Sequence, residues 1–265
     1  MSFHLSKDLS LNRPNPNYII TSLCFGRKYA PIFEHWLKNT IEKCPTADIF
    51  VPPTPSSLPF VPTEAWWDVI RLENNIGLLQ KSIPIMHCDL DVIVVKDLKP
   101  IVEWGSSQKI DILFSKETWG EPLPICSGLY ILYPSSRNFC EKLLTMMKQK
   151  KYGTYSDQNT LRSYILEQPH KIQPIVSTID GSTYSHSLIH VDNIKIVILD
   201  MELITRDPMT TKTQFANHVN VDNVGGVQTF IRFFYERIED LPLTCRCGKR
   251  HLGNTEICTH IRHVR

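Results

Sequence analysis

One stretch of the chain limits its folding more than any other. Ile83 to Cys88 is a largely apolar run of strand length, and it ends in the acidic pair of Asp89-Leu90-Asp91. A short apolar run without polar alternation reads as a strand covered on both faces, as in α/β proteins. In an extended segment residues i and i+2 project to the same side. Asp89 and Asp91 then present two carboxylates together while Leu90 points away. Two carboxylates side by side suit a hard divalent cation, magnesium or manganese, whose remaining positions are filled by substrate phosphates. The cation offsets charge that builds on a departing diphosphate. The competing reading of any Asp-x-Asp is a solvated strand end. The setting favours the site, because ligands of open α/β sheets bind at the carboxyl ends of strands.

The rest of the chain supplies layers for such a sheet. Tyr18 to Cys24 and Asp48 to Val51 read as short strands, separated by a helix in which Tyr29, Ile32, Phe33, Trp36, Leu37, Thr40 and Ile41 recur at helical spacing. Five prolines between Pro52 and Pro62 make an extended surface loop that could overlie a ligand site. Trp66, Val69, Ile70, Leu72, Ile76 and Leu79 form a second amphipathic helix leading into the acidic pair. Further strands are expected at Ile110–Ser115, Ser127–Tyr133 and Ile194–Leu199, with helices near Ser136–Lys148, Asp157–Leu166 and Val227–Ile238. Alternating strands and helices predict an α/β fold with a mostly parallel, Rossmann-like sheet flanked by helices. At 265 residues one domain can bury a substantial core, here expected over residues 1–240, with a Cys/His-rich element at 241–265.

Four segments together resemble GT-A glycosyltransferases. They are the run from Ile83 through the acidic pair to Leu98, then Cys126-Ser-Gly-Leu-Tyr-Ile-Leu, Ser156-Asp-Gln-Asn-Thr-Leu and Asn217-His-Val-Asn. They fall in that family's order across roughly residues 18 to 237. The resemblance implies a GT-A fold and transfer of a sugar from a nucleotide-diphosphate donor, UDP favoured, to a carbohydrate or glycoconjugate acceptor. It implies that Asp89 helps hold the ribose and the metal, that Asp91 binds the metal, and that His218 is the third ligand. Ser127 and Gly128 would lie near the donor sugar. Asp157 would act as general base on the acceptor hydroxyl or as a carboxylate stabilising an oxocarbenium-like state. Asn159 departs from the more familiar Asp-Gln-Asp triplet of retaining members. Asp157 also reads simply as an N-cap. Arg71 and Lys81, in or beside the helix before the acidic pair, could reach a diphosphate, although a solvated helix face is the plainer reading. Thr21, on the first strand, would lie toward the nucleotide base.

Two other classes compete. Cys88-Asp-Leu-Asp-Val-Ile also resembles the first motif of haloacid-dehalogenase-like phosphatases, with Asp89 as nucleophile, but those enzymes usually carry it on their first strand. A noncatalytic carbohydrate-binding protein is the third option. A net charge of +2 gives no argument for nucleic acid. Met1 to Asn17 has no apolar segment of the kind a secretion signal or membrane span needs, and no Asn is followed two places later by Ser or Thr. Cys24, Cys44, Cys88, Cys126 and Cys140 sit singly in or beside apolar runs, as buried thiols do. These features predict a soluble cytoplasmic protein. In the tail, Cys245, Cys247, Cys258 and His260 offer two close donor pairs for a structural zinc, with a disulfide or free donors as open alternatives.

Overall fold

The computed structural model describes residues 9–24, 26–52, 66–118, 120–205, 215–219, 221–224, 226–231, 235, 242–244 and 250–252. The elements in chain order begin with β1 (Leu9–Leu11), β2 (Tyr18–Thr21), α1 (Gly26–Lys43), β3 (Ala47–Val51), α2 (Trp66–Leu78) and β4 (Ile85–Cys88). They continue with β5 (Val92–Val94), α3 (Lys99–Ser107), β6 (Ile112–Lys116), β7 (Ile125–Leu132), α4 (Arg137–Lys148) and α5 (Asp157–Glu167). Last come β8 (Lys171–Ile179), β9 (Ser182–Val191), β10 (Ile194–Ile198), β11 (Ile204–Thr205), β12 (Ala216–His218), α6 (Val227–Phe230), β13 (Pro242–Thr244) and β14 (Arg250–Leu252).

Nine strands form the main sheet in the order β1-β3-β2-β4-β7-β6-β10-β9-β8. Alternation along each strand feeds two separate cores. On β2, Tyr18 and Ile20 enter one core with Ile32, Phe33 and Trp36 of α1, while Ile19 enters the other with Val69 and Leu72 of α2, Leu143 of α4 and Leu161 of α5. The helices are amphipathic for this reason. Truncating a fully buried side chain such as Met86 or Ile85 to Ala should destabilise the fold by roughly 2–5 kcal/mol.

The sheet is mixed, which corrects the expectation of a mostly parallel one. β2 runs parallel to β3 and β4, and β6 parallel to β10, but β7 is antiparallel to both β4 and β6. β8, β9 and β10 form an antiparallel meander. Its two turns are Asp180-Gly181 and Asp192-Asn193, and all four residues have positive φ, the conformation that two-residue hairpins require. Expected elements appear with shifted ends, such as β7 starting at Ile125 and β4 at Ile85. Helix α3, strand β1 and the β8–β9 hairpin had no counterpart in the sequence reading.

A small sheet, β11-β12-β5, stands beside the main one, with β12 antiparallel to β5. The proline-rich loop after Pro52 lies outside the described residues, as does half of the helix expected at Val227–Ile238. Cys24, Cys44, Cys88, Cys126 and Cys140 are buried. Among the described residues no helix is long and apolar enough to cross a membrane.

Candidate active site

The acidic pair leaves the carboxyl end of β4 in a tight turn and not in an extended strand. Val92 N–H donates to Asp89 O at 3.0 Å, Leu90 is buried, and Asp89 N–H donates to Gly128 O of β7 at 2.8 Å. The turn brings the two carboxylates together where strand alternation was expected to do so. β12 then adds a third group. His218 pairs with Val92 across β5, Val219 N–H donates to Asp91 O at 3.1 Å, and His218 Nε2 lies 3.3 Å from an Asp91 carboxylate oxygen. One ligand atom from each of Asp89, Asp91 and His218 falls within 4.8 Å of the others, so the three can hold a metal ion. Two carboxylate oxygens and an imidazole nitrogen are a donor set that manganese accepts well and magnesium also tolerates.

Gly128 is there for room. A Cβ on it would stand 1.9 Å from His218 Cε1 and 2.6 Å from each ring nitrogen, so only glycine lets the imidazole lie against β7. Cys126 Sγ contacts His218 Nδ1 at 3.4 Å, which leaves Nε2 for the acidic side.

Beside this cluster lies a buried guanidinium. Arg71, on the inward face of α2, places Nη2 2.6 Å from Asp157, 3.0 Å from Asp68 and 3.1 Å from Ser127 Oγ, with Nη1 3.4 Å from Asp89. Its centre also lies 5.8 Å over the Tyr130 ring. Burial works against the guanidinium charge, but Asp157 and then Asp68 outweigh it and hold Arg71 firmly protonated. Burial pushes the Asp68 carboxyl up to about 7, opposed by Arg71 and reinforced by Asp157 and Asp89. For Asp89 burial pulls upward too, yet the hydrogen bond from His87 and the charge of Arg71 bring it down to about 2. His87 is kept neutral by burial.

Arg71 therefore does not occupy a solvated helix face, whereas Lys81 is exposed. Asp157 is not the N-cap of α5. Ser156 caps the helix by accepting Asn159 N–H, and Asp157 is the first helical residue, free to turn inward. Its Oδ1 accepts the N–H of Gln158 at 2.6 Å while Oδ2 meets Arg71. Ser127 lies against both Arg71 and Gln158, whose side chain accepts Ser127 N–H at 3.2 Å. Thr21 is at the carboxyl end of β2 opposite His87, with 1% of its surface exposed, and takes no part in the cluster. The four tail residues Cys245, Cys247, Cys258 and His260 lie outside the described residues. Asp68, Asn75 and His87 were missed. Asp68, Arg71 and Asn75 are spaced i, i+3, i+7 along α2, a stripe that points polar groups at one target.

No family model and no curated protein matches the chain. Solved structures do. A glycosyltransferase involved in the glycosylation of the major capsid of PBCV-1 is similar over 77% of this chain and 92% of its own, at 15% identity and a TM-score of 0.51. The fold is that of a GT-A glycosyltransferase. Two further structures resemble the chain more loosely. Mouse xyloside xylosyltransferase 1 in its apo form shares 10% identity over 72% of this chain and 87% of its own, with a TM-score of 0.43. The glycosyltransferase GlyE of Streptococcus pneumoniae TIGR4 shares 12% identity over 57% of this chain and 43% of its own, at 0.41. In the GT-A frame seen here, every group of the cluster lies around one end of β4 and the adjoining start of β7.

Proposed function

We propose that the chain is a metal-dependent glycosyltransferase that moves a sugar from a nucleotide-diphosphate donor, UDP favoured, to an acceptor hydroxyl of a glycan, glycoconjugate or protein. The observation that carries this reading is the adjacency of two devices. A three-donor metal cluster of Asp89, Asp91 and His218 lies next to the ion-paired Arg71 and Asp157, linked through the contact of Arg71 with Asp89. When bound, manganese or magnesium supplies positive charge opposite the diphosphate. Asp89, Asp91 and His218 would hold that cation.

Arg71 and Asp157 serve the sugar end. Both oxygens of Asp157 are already engaged, Oδ2 by the Arg71 guanidinium and Oδ1 by the Gln158 N–H. That favours Asp157 as a fixed negative charge beside the anomeric carbon over Asp157 as general base. Ser127 and Gly128 would border the donor sugar through their backbone, while the missing side chain of Gly128 makes room for His218. Thr21 serves the nucleotide only through the end of its strand, its side chain being buried.

The phosphatase reading fits less well. Its nucleophile would be Asp89, and that carboxylate already accepts from His87 and lies beside Arg71, an arrangement that lowers nucleophilicity. The test is incubation with a nucleotide-sugar panel and manganese. Nucleoside diphosphate release that is lost with Asp91→Asn, in a variant of unchanged melting temperature, supports the transferase. Cleavage of a generic phosphomonoester without sugar transfer supports the phosphatase, and sugar binding without either reaction supports a lectin-like role. For residues 241–265 we retain a separate Cys/His element that binds zinc through Cys245, Cys247, Cys258 and His260, with zinc content of the Cys247→Ser protein as its check.

A further inference from the structure

The two oxygens of Asp89 are not equivalent. Oδ1 lies 2.8 Å from His87 Nε2 and 3.4 Å from Arg71 Nη1. A carboxylate only accepts, so His87 Nε2 carries a hydrogen and donates it to Oδ1. The ring is held from behind. It is fully buried, it stacks on Tyr130 with centroids 5.1 Å apart, and the Tyr130 hydroxyl accepts from Asn75 at 2.7 Å. His87 Nδ1 is buried and has no partner among the described residues. An apolar side chain would fill this space without leaving a ring nitrogen dry, so packing does not account for a histidine here. What the histidine adds is one aimed N–H.

We infer that His87 is the positioning residue of the metal cluster, fixing Asp89 through Oδ1 so that Oδ2 is the single Asp89 atom that meets the cation. The inference rests on the metal reading of Asp89, Asp91 and His218 proposed above. It makes Asp89 a one-oxygen ligand with a locked rotamer. Such a ligand favours a compact, regular coordination shell over the larger and looser one of calcium. It also separates the duties of the two donors on Oδ1. His87 donates to Asp89, whereas Arg71 reaches on to Asp157.

The test uses the full chain and manganese alone, without donor. Free manganese is followed by its paramagnetic resonance signal during titration of the wild type, His87→Phe and His87→Gln. Phenylalanine keeps the ring against Tyr130 and removes the donor, while glutamine keeps an N–H donor. His87→Met provides a slimmer apolar replacement should phenylalanine prevent folding. Loss of an outer-shell partner of this kind weakens metal binding by roughly 10–100-fold. We expect that loss for the apolar variants at unchanged melting temperature, with glutamine within several-fold of wild type. In turnover, the apolar variants should need more manganese and recover most of kcat at saturating metal, which a merely structural defect would not allow. Wild-type manganese affinity in a folded apolar variant overturns the role of His87 and leaves the metal reading intact. A wild type that binds no manganese overturns the metal reading and this inference with it.

Discussion

Replacing Gly128 with alanine adds one methyl group at the point where the site has least room for it. The new carbon would stand 1.9 Å from His218 Cε1, about 1.5 Å short of the 3.4 Å at which ordinary contact begins. β7 cannot retreat, because it is paired on one side with β4 and on the other with β6. The imidazole must therefore move by most of that shortfall or rotate away from Cys126. Metal–nitrogen bonds tolerate only about 0.2 Å, so a displaced His218 ceases to be a ligand. Gly128→Ala should weaken manganese binding by at least 10–100-fold, the range for losing even an outer-shell contact. Stability should fall by only about 1–3 kcal/mol, as for other overpacked positions. Manganese titration of UDP-dependent thermal shift, read beside the melting temperature without ligand, separates the two effects. A variant that keeps wild-type manganese affinity while losing stability would refute His218 as a ligand and reduce Gly128 to a packing residue.

Asp157→Asn keeps an acceptor for Arg71 but loses the charge, so transfer should drop by about 100-fold or more while UDP–manganese affinity stays within several-fold, measured by single-turnover kinetics and calorimetry. Arg71→Lys should be far from conservative, because one ammonium cannot serve Asp68, Asp157 and Asp89 at once. A loss of roughly 3–5 kcal/mol in urea unfolding is expected from the carboxylates left unpaired. His186 should govern part of the acid limb of stability. Its Nδ1 accepts Asp200 N–H, Nε2 donates to Ser177, and Trp104 and Tyr184 flank the ring, so burial lowers it to about 4 against the modest upward pull of Asp200. The unfolded chain then takes up the proton first. The neutral ring's contribution is intact above about pH 6.5 and fades toward pH 4, amounting to about 3 kcal/mol, and an acid limb unchanged in His186→Gln would disprove the assignment.

The strands that read clearly from sequence are the ones buried on both faces. β2, β3 and β4 and the helices between them gave apolar runs and helical periodicity strong enough to locate within a few residues. β8 did not, because as an edge strand it exposes Lys171, Ile172 and Val176 and buries little until Ser177. The Asp180-Gly181 dipeptide that turns it into β9 was a legible hairpin signal that went unused. Of the candidate site, the Asp89 and Asp91 pair was legible because the two are near neighbours in the chain. Arg71 was not, since a cation on an amphipathic helix is assigned to water unless the carboxylates that bury it are known, and Asp157 joins it from 86 residues away. His218 could be placed only through the family resemblance. Nothing in β12, three residues long, announces that it lies against β5.

Because the proposed ligand set is split between the β4–β5 turn and β12, synthesis delivers its two halves at different times. The main sheet can close once β10 has left the ribosome, with Asp89 and Asp91 already in their turn and Arg71 already clamped to Asp157. At that moment the nascent chain offers a cation two carboxylates and no imidazole. The proposed third ligand arrives only when β12 docks on β5. Until β12 docks, the proposed metal site is therefore incomplete even though every strand of the main sheet has been made.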